Sequence, residues 1–253
     1  MLRDFTKEAF DVIIQAGQSN AEGTSFGPTD EPYRPNDRVW YLLPDLTVVP
    51  AAEIVEENDI RSNFALSFAR EYMQNGRLAE GRKLLILRTA VGGTGFLDQR
   101  WGMTDDLYLR MMDMTREALS LNPANRLVAF LWHQGETDAI LGAKYDSHYT
   151  SLRTLLGSVR DAFRVPGLPF VAGDFVHHWR DSCMEACIPV LDAMRAVCRD
   201  CGHACFVETD NLPSNWQEIG DARQDVIHFS RRAIYELGKR YYAAFADIAD
   251  TEP

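Results

Sequence analysis

Four short segments carry more nucleophilic and hydrogen-bonding groups than a connecting loop needs. The first reads Gly17, Gln18, Ser19, Asn20, Ala21, Glu22, Gly23. A serine on a tight turn between small residues can present its hydroxyl for nucleophilic attack. The same G-x-S-x-A pattern also fits a serine that caps the following helix. The second segment, Ala90 to Phe96, holds Gly92, Gly93 and Gly95. Their backbone N–H groups can approach a phosphate or a developing oxyanion closely, and a plain tight turn would use the same glycines. The phosphate reading fails in detail, because Gly93-Thr94-Gly95 does not continue into G-x-G-x-x-G and no G-x-x-x-x-G-K-[ST] occurs. In the third, Trp132-His133-Gln134-Gly135-Glu136-Thr137-Asp138, polar side chains crowd directly behind the apolar Leu127 to Leu131. His133, Glu136 and Asp138 could ligate a metal, but no H-E-x-x-H or comparable helical spacing supports that. The fourth is Asp225-Val226-Ile227-His228. An acid three residues ahead of a histidine can bond its Nδ1–H and leave Nε2 for a nucleophile, although a helix-entry turn gives the same spacing.

The elements between these segments place them together. Short β-type runs at Asp11 to Ala16, Lys83 to Thr89, Arg126 to Trp132, Pro169 to Gly173 and Ala204 to Val207 alternate with longer helical patterns. That alternation predicts an α/β fold with a mostly parallel sheet covered by helices on both faces. Helices are expected from a Ser62 cap to Gly76, from a Thr104 cap over Asp105 to Leu121, over Tyr145 to Phe163, over Asp181 to Asp200, and from a Ser230 cap to about Phe245. Gly27 to Asn58, rich in Pro and acidic residues, reads as a surface crossing with brief β-like pieces such as Arg38 to Leu43. No repeat or Gly/Ser linker breaks the chain, so residues 1–253 read as one domain. In such sheets ligands bind outside the carboxyl ends of the strands, where the segments fall. Taken together there, Ser19, His228 and Asp225 form a hydrolytic triad.

Composition narrows the field. Of 253 residues, 46% are hydrophobic and 25% charged, which suits a globular core and excludes disorder, collagen and coiled coil. The formal net charge of −11 repels polyanions, so nucleic acid is not an expected partner. Apolar runs such as Leu127 to Trp132 fall far short of the ~20 residues that span a bilayer, so no membrane partner is expected. Charges interrupt Met1 to Glu8, which lacks the apolar core of a secretory signal, so a cytoplasmic location is expected unless a leader has been removed. The cysteines, Cys183, Cys187, Cys198, Cys201 and Cys205, are odd in number and clustered, a poor basis for a disulfide framework. Cys198 and Cys201 with His203 have a zinc-like spacing, while Cys183, Cys187 and Cys198 also fit the buried face of a helix with Ile188, Leu191 and Met194.

The blocks Gly17-Gln18-Ser19-Asn20, Gly92-Gly93-Thr94, Trp132-His133-Gln134-Gly135-Glu136-Thr137-Asp138 and Asp225-Val226-Ile227-His228, with Asn36-Asp37-Arg38-Val39-Trp40 after the first, resemble those of the SGNH hydrolase superfamily. More narrowly they resemble its sialate O-acetylesterase and acetylxylan-esterase-like branch, carbohydrate esterase family 6. The resemblance implies a flavodoxin-like three-layer α/β/α sandwich and hydrolysis of acetyl esters, often on sugars, without cofactor or metal. Carried over by position, Ser19 is the nucleophile, His228 the general base and then acid, and Asp225 its orienter. The same resemblance gives the oxyanion to the backbone N–H groups of Ser19 and Gly93 and the side-chain amide of Gln134, where the wider superfamily has an asparagine. It makes Glu136 a carboxylate that bonds the loops around Ser19. The implied partner is a small-molecule or carbohydrate acetyl ester. Trp101, Trp179 or Trp216 could stack on a sugar ring and Arg100 or Arg180 could meet a carboxylate, or these residues simply line exposed loops; His177 and His178 receive no role. The alternatives are a non-catalytic carbohydrate-binding domain of the same fold and a thioesterase or lipase-like SGNH hydrolase.

Overall fold

The computed structural model describes residues 4–56, 59–220 and 224–250. Met1 to Arg3 of the segment read for a leader, and Asn58 at the end of the expected surface crossing, lie outside these. The strands are β1 (Ala9–Gly17), β2 (Val39–Leu42), β3 (Val48–Pro50), β4 (Ile54–Glu56), β5 (Asp59–Arg61), β6 (Arg82–Arg88), β7 (Arg126–His133), β8 (Phe170–Gly173) and β9 (Ala204–Val207). The α-helices are α1 (Ser19–Glu22), α2 (Phe64–Gln74), α3 (Asp106–Ser120), α4 (Glu136–Ile140), α5 (Tyr145–Phe163), α6 (His177–Ser182), α7 (Met184–Asp200), α8 (Asn215–Ile219) and α9 (Arg231–Ala249).

Seven strands form one sheet in the order β3-β2-β6-β1-β7-β8-β9, parallel except for the β2–β3 edge pair. Alternation along β1 divides the core. Phe10, Val12, Ile14 and Ala16 face one apolar layer with α3, α5 and α7, whereas Ile13 faces the other with α2 and α9. The three-layer α/β/α arrangement expected from the sequence is therefore observed. Among the described residues no helix is long and apolar enough to cross a membrane.

The chain leaves β1 toward the β2–β3 edge, returns as β6 beside β1, and then crosses to β7 on its other side. The carboxyl ends of β6, β1 and β7 consequently lie side by side, and their loops face one another. Gly27 to Asn58 does more than cross the surface, because it supplies β2 and β3 to the sheet edge and a strand of the β4–β5 hairpin.

Several helix boundaries differ from expectation. Asn63, not Ser62, caps α2, its Oδ1 accepting from the Ala65 N–H at 3.1 Å. Asp105, not Thr104, precedes α3, and its carboxylate accepts from Gly102 N–H instead of from the helix. The expected helix over Asp181 to Asp200 is two, broken at Cys183, and the last helix continues to Ala249. Of the helix face read around the cysteines, Cys187, Leu191, Met194 and Cys198 are buried, while Ile188 is exposed. All five thiols are free, and burial pushes those of Cys187 and Cys198 up, away from reactivity. No group of three metal-ligating side chains gathers among the described residues.

Helices α2 and α9 pack so closely that a Cβ at Gly238 would lie inside the van der Waals surfaces of Phe64 O and Ser67 Oγ. Gly238→Ala is expected to destabilise the protein by about 3 kcal/mol, lowering Tm by roughly 6–12 °C in thermal circular dichroism.

Candidate active site

Ser19 opens α1 directly behind the carboxyl end of the central strand. The turn depends on Gly17. Its φ is +125°, and a side chain there would collide with the backbone of His133, which accepts from Gln18 N–H at 2.9 Å. As the first residue of α1, Ser19 has an N–H with no acceptor inside the helix, since the Gln15 carbonyl four residues back belongs to β1 and accepts from Thr89, and it sits at the positive end of the short helix.

His228 Nε2 lies 2.8 Å from Ser19 Oγ. On the other side of the ring, Nδ1 lies 2.9 and 3.0 Å from the two carboxylate oxygens of Asp225. A carboxylate only accepts, so Nδ1 carries the proton and Nε2 is left to accept from the serine hydroxyl. Burial pulls the Asp225 carboxyl up, but the bonds from His228 and Asn215 more than offset this and hold it below its ordinary value. Asn215 was missed by the sequence reading. Fully buried, it donates to Asp225 Oδ2 at 2.8 Å, while its backbone N–H bonds His228 O at 2.9 Å.

The glycine segment after β6 lies against the serine, since a Cβ on Gly92 would sit 3.5 Å from Ser19 Cβ. Glu22 Oε2 accepts the Gly92 N–H at 2.7 Å, and Gly93, at φ +69°, finds no protein acceptor for its own N–H among the described residues. Asp138 cups the rest of the turn by accepting from Phe96 N–H at 3.0 Å and Leu97 N–H at 2.8 Å.

Gln134 is more committed than expected of an oxyanion donor. Its Nε2 bonds Asp138 Oδ2 at 3.0 Å and shares its second proton between Thr94 O and Gln18 Oε1 at 3.3 and 3.4 Å. Donation to an oxyanion draws on that long, shared contact. Gln18 also accepts from the N–H groups of Gly135 and Thr137, so the residue before the nucleophile anchors the loop after β7.

Glu136 and His133 are wholly buried beneath these loops. Burial raises the Glu136 carboxyl, partly opposed by a bond from Asn20. Burial alone lowers His133 to about 3. Tyr241 OH donates to Trp132 O, so His133 Nδ1–H donates to the tyrosine oxygen at 2.9 Å.

The expected rim residues fare unevenly. Trp101 is fully buried with its Nε1–H on Thr94 Oγ1, so it supports the glycine turn and cannot stack on a ligand. Trp179 is partly buried and packs on Phe175. Trp216 is 40% exposed and rests against His178, 5.3 Å between ring centroids. Arg100 is held by Asp106 and Arg180 by Asp174 and Asp181. Arg88, which drew no attention in the sequence, lines a cleft of about 310 Å³ with Glu22, Tyr41 and Ala90. It stacks on Tyr41 and bonds the Glu22 carbonyl, but pairs with no carboxylate among the described residues.

Fold and site geometry together define a class, a three-layer α/β/α protein with a serine–histidine–aspartate constellation at the carboxyl edge of its sheet. The chain belongs to the carbohydrate esterase family described as sialic acid-specific acetylesterase, which it matches over residues 9–247. It is 28% identical over 91 residues to the probable 9-O-acetyl-N-acetylneuraminic acid deacetylase of Escherichia coli (strain K12), a stretch covering 33% of this chain and 28% of that relative. Its fold is similar to the crystal structure of NanS, with a TM-score of 0.76 at 19% identity over 95% of this chain and 98% of that one. It is also similar to that of an Arabidopsis thaliana protein, with a TM-score of 0.73 at 20% identity over 94% and 98%.

The buried His133 makes stability depend on pH. Its folded value lies below the ordinary 6.5, so the unfolded chain binds more protons between the two and stability falls as pH drops through that window. Urea unfolding at pH 7 and 5 should show wild type losing ground to His133→Gln by up to about 1.4 kcal/mol per unit below 6.5.

Proposed function

We propose that this chain is a serine acetylesterase that removes O-acetyl groups from carbohydrates through an acetyl-Ser19 intermediate. The observation that supports it most is the continuous bond path from Ser19 through His228 to Asp225, at 2.8 and 2.9 Å, beside the Gly93 N–H, which meets no protein acceptor among the described residues.

In the first step Ser19 Oγ attacks the ester carbonyl while His228 Nε2 takes its proton. The imidazolium is stabilised by the ionised Asp225. Negative charge on the carbonyl oxygen meets the N–H groups of Ser19 and Gly93, with the shared Gln134 proton as a third donor. His228 then returns the proton to the departing sugar hydroxyl, and the acetyl group stays on Ser19. Water repeats the sequence, with His228 as base and then acid, and acetate leaves.

For the sugar we take O-acetylated sialic acid as the substrate class, supported by the family description and the name of the E. coli relative. Its carboxylate needs a local cation on a chain of net charge −11. Arg88, unpaired with any carboxylate among the described residues and lining the cleft beside Glu22, supplies one.

Kinetics on 4-nitrophenyl acetate and 9-O-acetyl-N-acetylneuraminic acid test both parts. Ser19→Ala is expected to abolish turnover of both esters; wild-type activity in that variant would contradict the mechanism. Arg88→Met is expected to raise KM for the sialic acid ester about tenfold or more, as for loss of a charge-assisted bond, with 4-nitrophenyl acetate little changed.

A further inference from the structure

Asn20, directly after the nucleophile, takes no part in the acyl transfer above, yet it is fully buried, and both its amide protons and its carbonyl oxygen are engaged. Its Nδ2 donates to Ile227 O at 3.1 Å and to Glu136 Oε1 at 2.8 Å, and its Oδ1 accepts from Phe229 N–H at 3.1 Å. The amide therefore grips the backbone immediately before and immediately after His228. Among the described residues Glu136 Oε1 takes its only side-chain hydrogen bond from Asn20, with His133 Nε2 3.8 Å away, and Glu136 Oε2 has no partner.

We propose that Asn20 is the positioning residue that sets the His228 imidazole on Ser19, and that Glu136 acts through it by holding its amide in one orientation. The inference rests on the acyl-transfer reading above. The geometry demands this side chain. Two donors and one acceptor must lie in one plane, a set that aspartate lacks and serine is too short to reach. Turned by half a rotation, the amide would aim Oδ1 at the Ile227 carbonyl and the Glu136 carboxyl and aim its N–H groups at the Phe229 N–H. Glu136 opposes that turn. Ser19 and Asn20 are adjacent in α1, so the helix that carries the nucleophile also carries the grip on its base. Ser19 and His228 are 209 positions apart in sequence, and displacement by about 1 Å at such a contact can lower a rate about 10²-fold.

The test is steady-state kinetics of the whole chain on 4-nitrophenyl acetate, with circular dichroism to establish folding. Asn20→Asp and Asn20→Ala are expected to lower kcat by about 10²-fold while KM stays within about threefold. Glu136→Leu is expected to lower kcat by about tenfold or more, and Glu136→Gln, which keeps an acceptor toward Asn20, to restore most of that loss. A folded Asn20→Ala with kcat near wild type, or one in which only KM changes, overturns the proposal. Should both Asn20 variants fail to fold, the Glu136 pair decides: equal activity in Glu136→Gln and Glu136→Leu overturns it, and rescue by glutamine supports it. Turnover surviving in Ser19→Ala would overturn the acyl-transfer reading and the grip with it, whereas full activity in Asn20→Asp overturns the grip alone.

Discussion

The contact on which the rest of the site depends is the hydrogen bond between Ser19 Oγ and His228 Nε2, made between the first strand-to-helix turn and the entry to the last helix. Neither side chain is activated by itself. A serine hydroxyl is a weak nucleophile, and an imidazole free to turn spends little time with its lone pair aimed at it. The surroundings of the pair mostly remove that freedom. Asp225 fixes the proton on Nδ1, Asn215 fixes Asp225, and Asn20 bonds the chain on both sides of the histidine.

The same constraint explains the glycines at the carboxyl edge of the sheet. The β1 turn must press against the β7 backbone to bring Ser19 beside the loop that follows β6, and only Gly17 permits that approach. Gly92 allows the glycine turn to lie on the serine, and Glu22 and Asp138 hold that turn by accepting its N–H groups. In the proposed reaction, negative charge developing on an ester carbonyl would meet backbone dipoles that are already oriented, which is the condition for electrostatic stabilisation without reorganisation.

Much of this was legible in the sequence because the chemistry falls in compact blocks at strand ends, where a parallel sheet gathers its loops. Ser19, Asp225 and His228 could be read in that way, and the structure brings them together, whereas Gly93 and Gln134 were singled out as donors only by the family resemblance. Asn215 could not, since after Ser214 it looks like an ordinary helix-opening residue, and its value comes from a contact with Asp225 that only the folded turn creates. Ser62 and Asn63 are equally good caps by type, but Ser62 is taken up in a bridge with Ser25 and the helix starts one residue later, at Phe64. Trp101 sits among polar residues and reads as exposed, yet its ring fills the space beneath the glycine turn. Arg100 and Arg180 were visible as charges, but their carboxylate partners were not, and pairing removes them as free cations near the site. No glycine or proline marks the break at Cys183 between α6 and α7.

All of these features fit the one event proposed above, transfer of an acetyl group to Ser19. The most direct measurement is intact-mass and peptide-level mass spectrometry of the protein after reaction with a fluorophosphonate, whose phosphorus takes the place of the ester carbon. The account predicts a single adduct on the peptide that carries Ser19, formed in wild type and absent in His228→Ala. No adduct on the wild-type protein, or one on another residue, would contradict it.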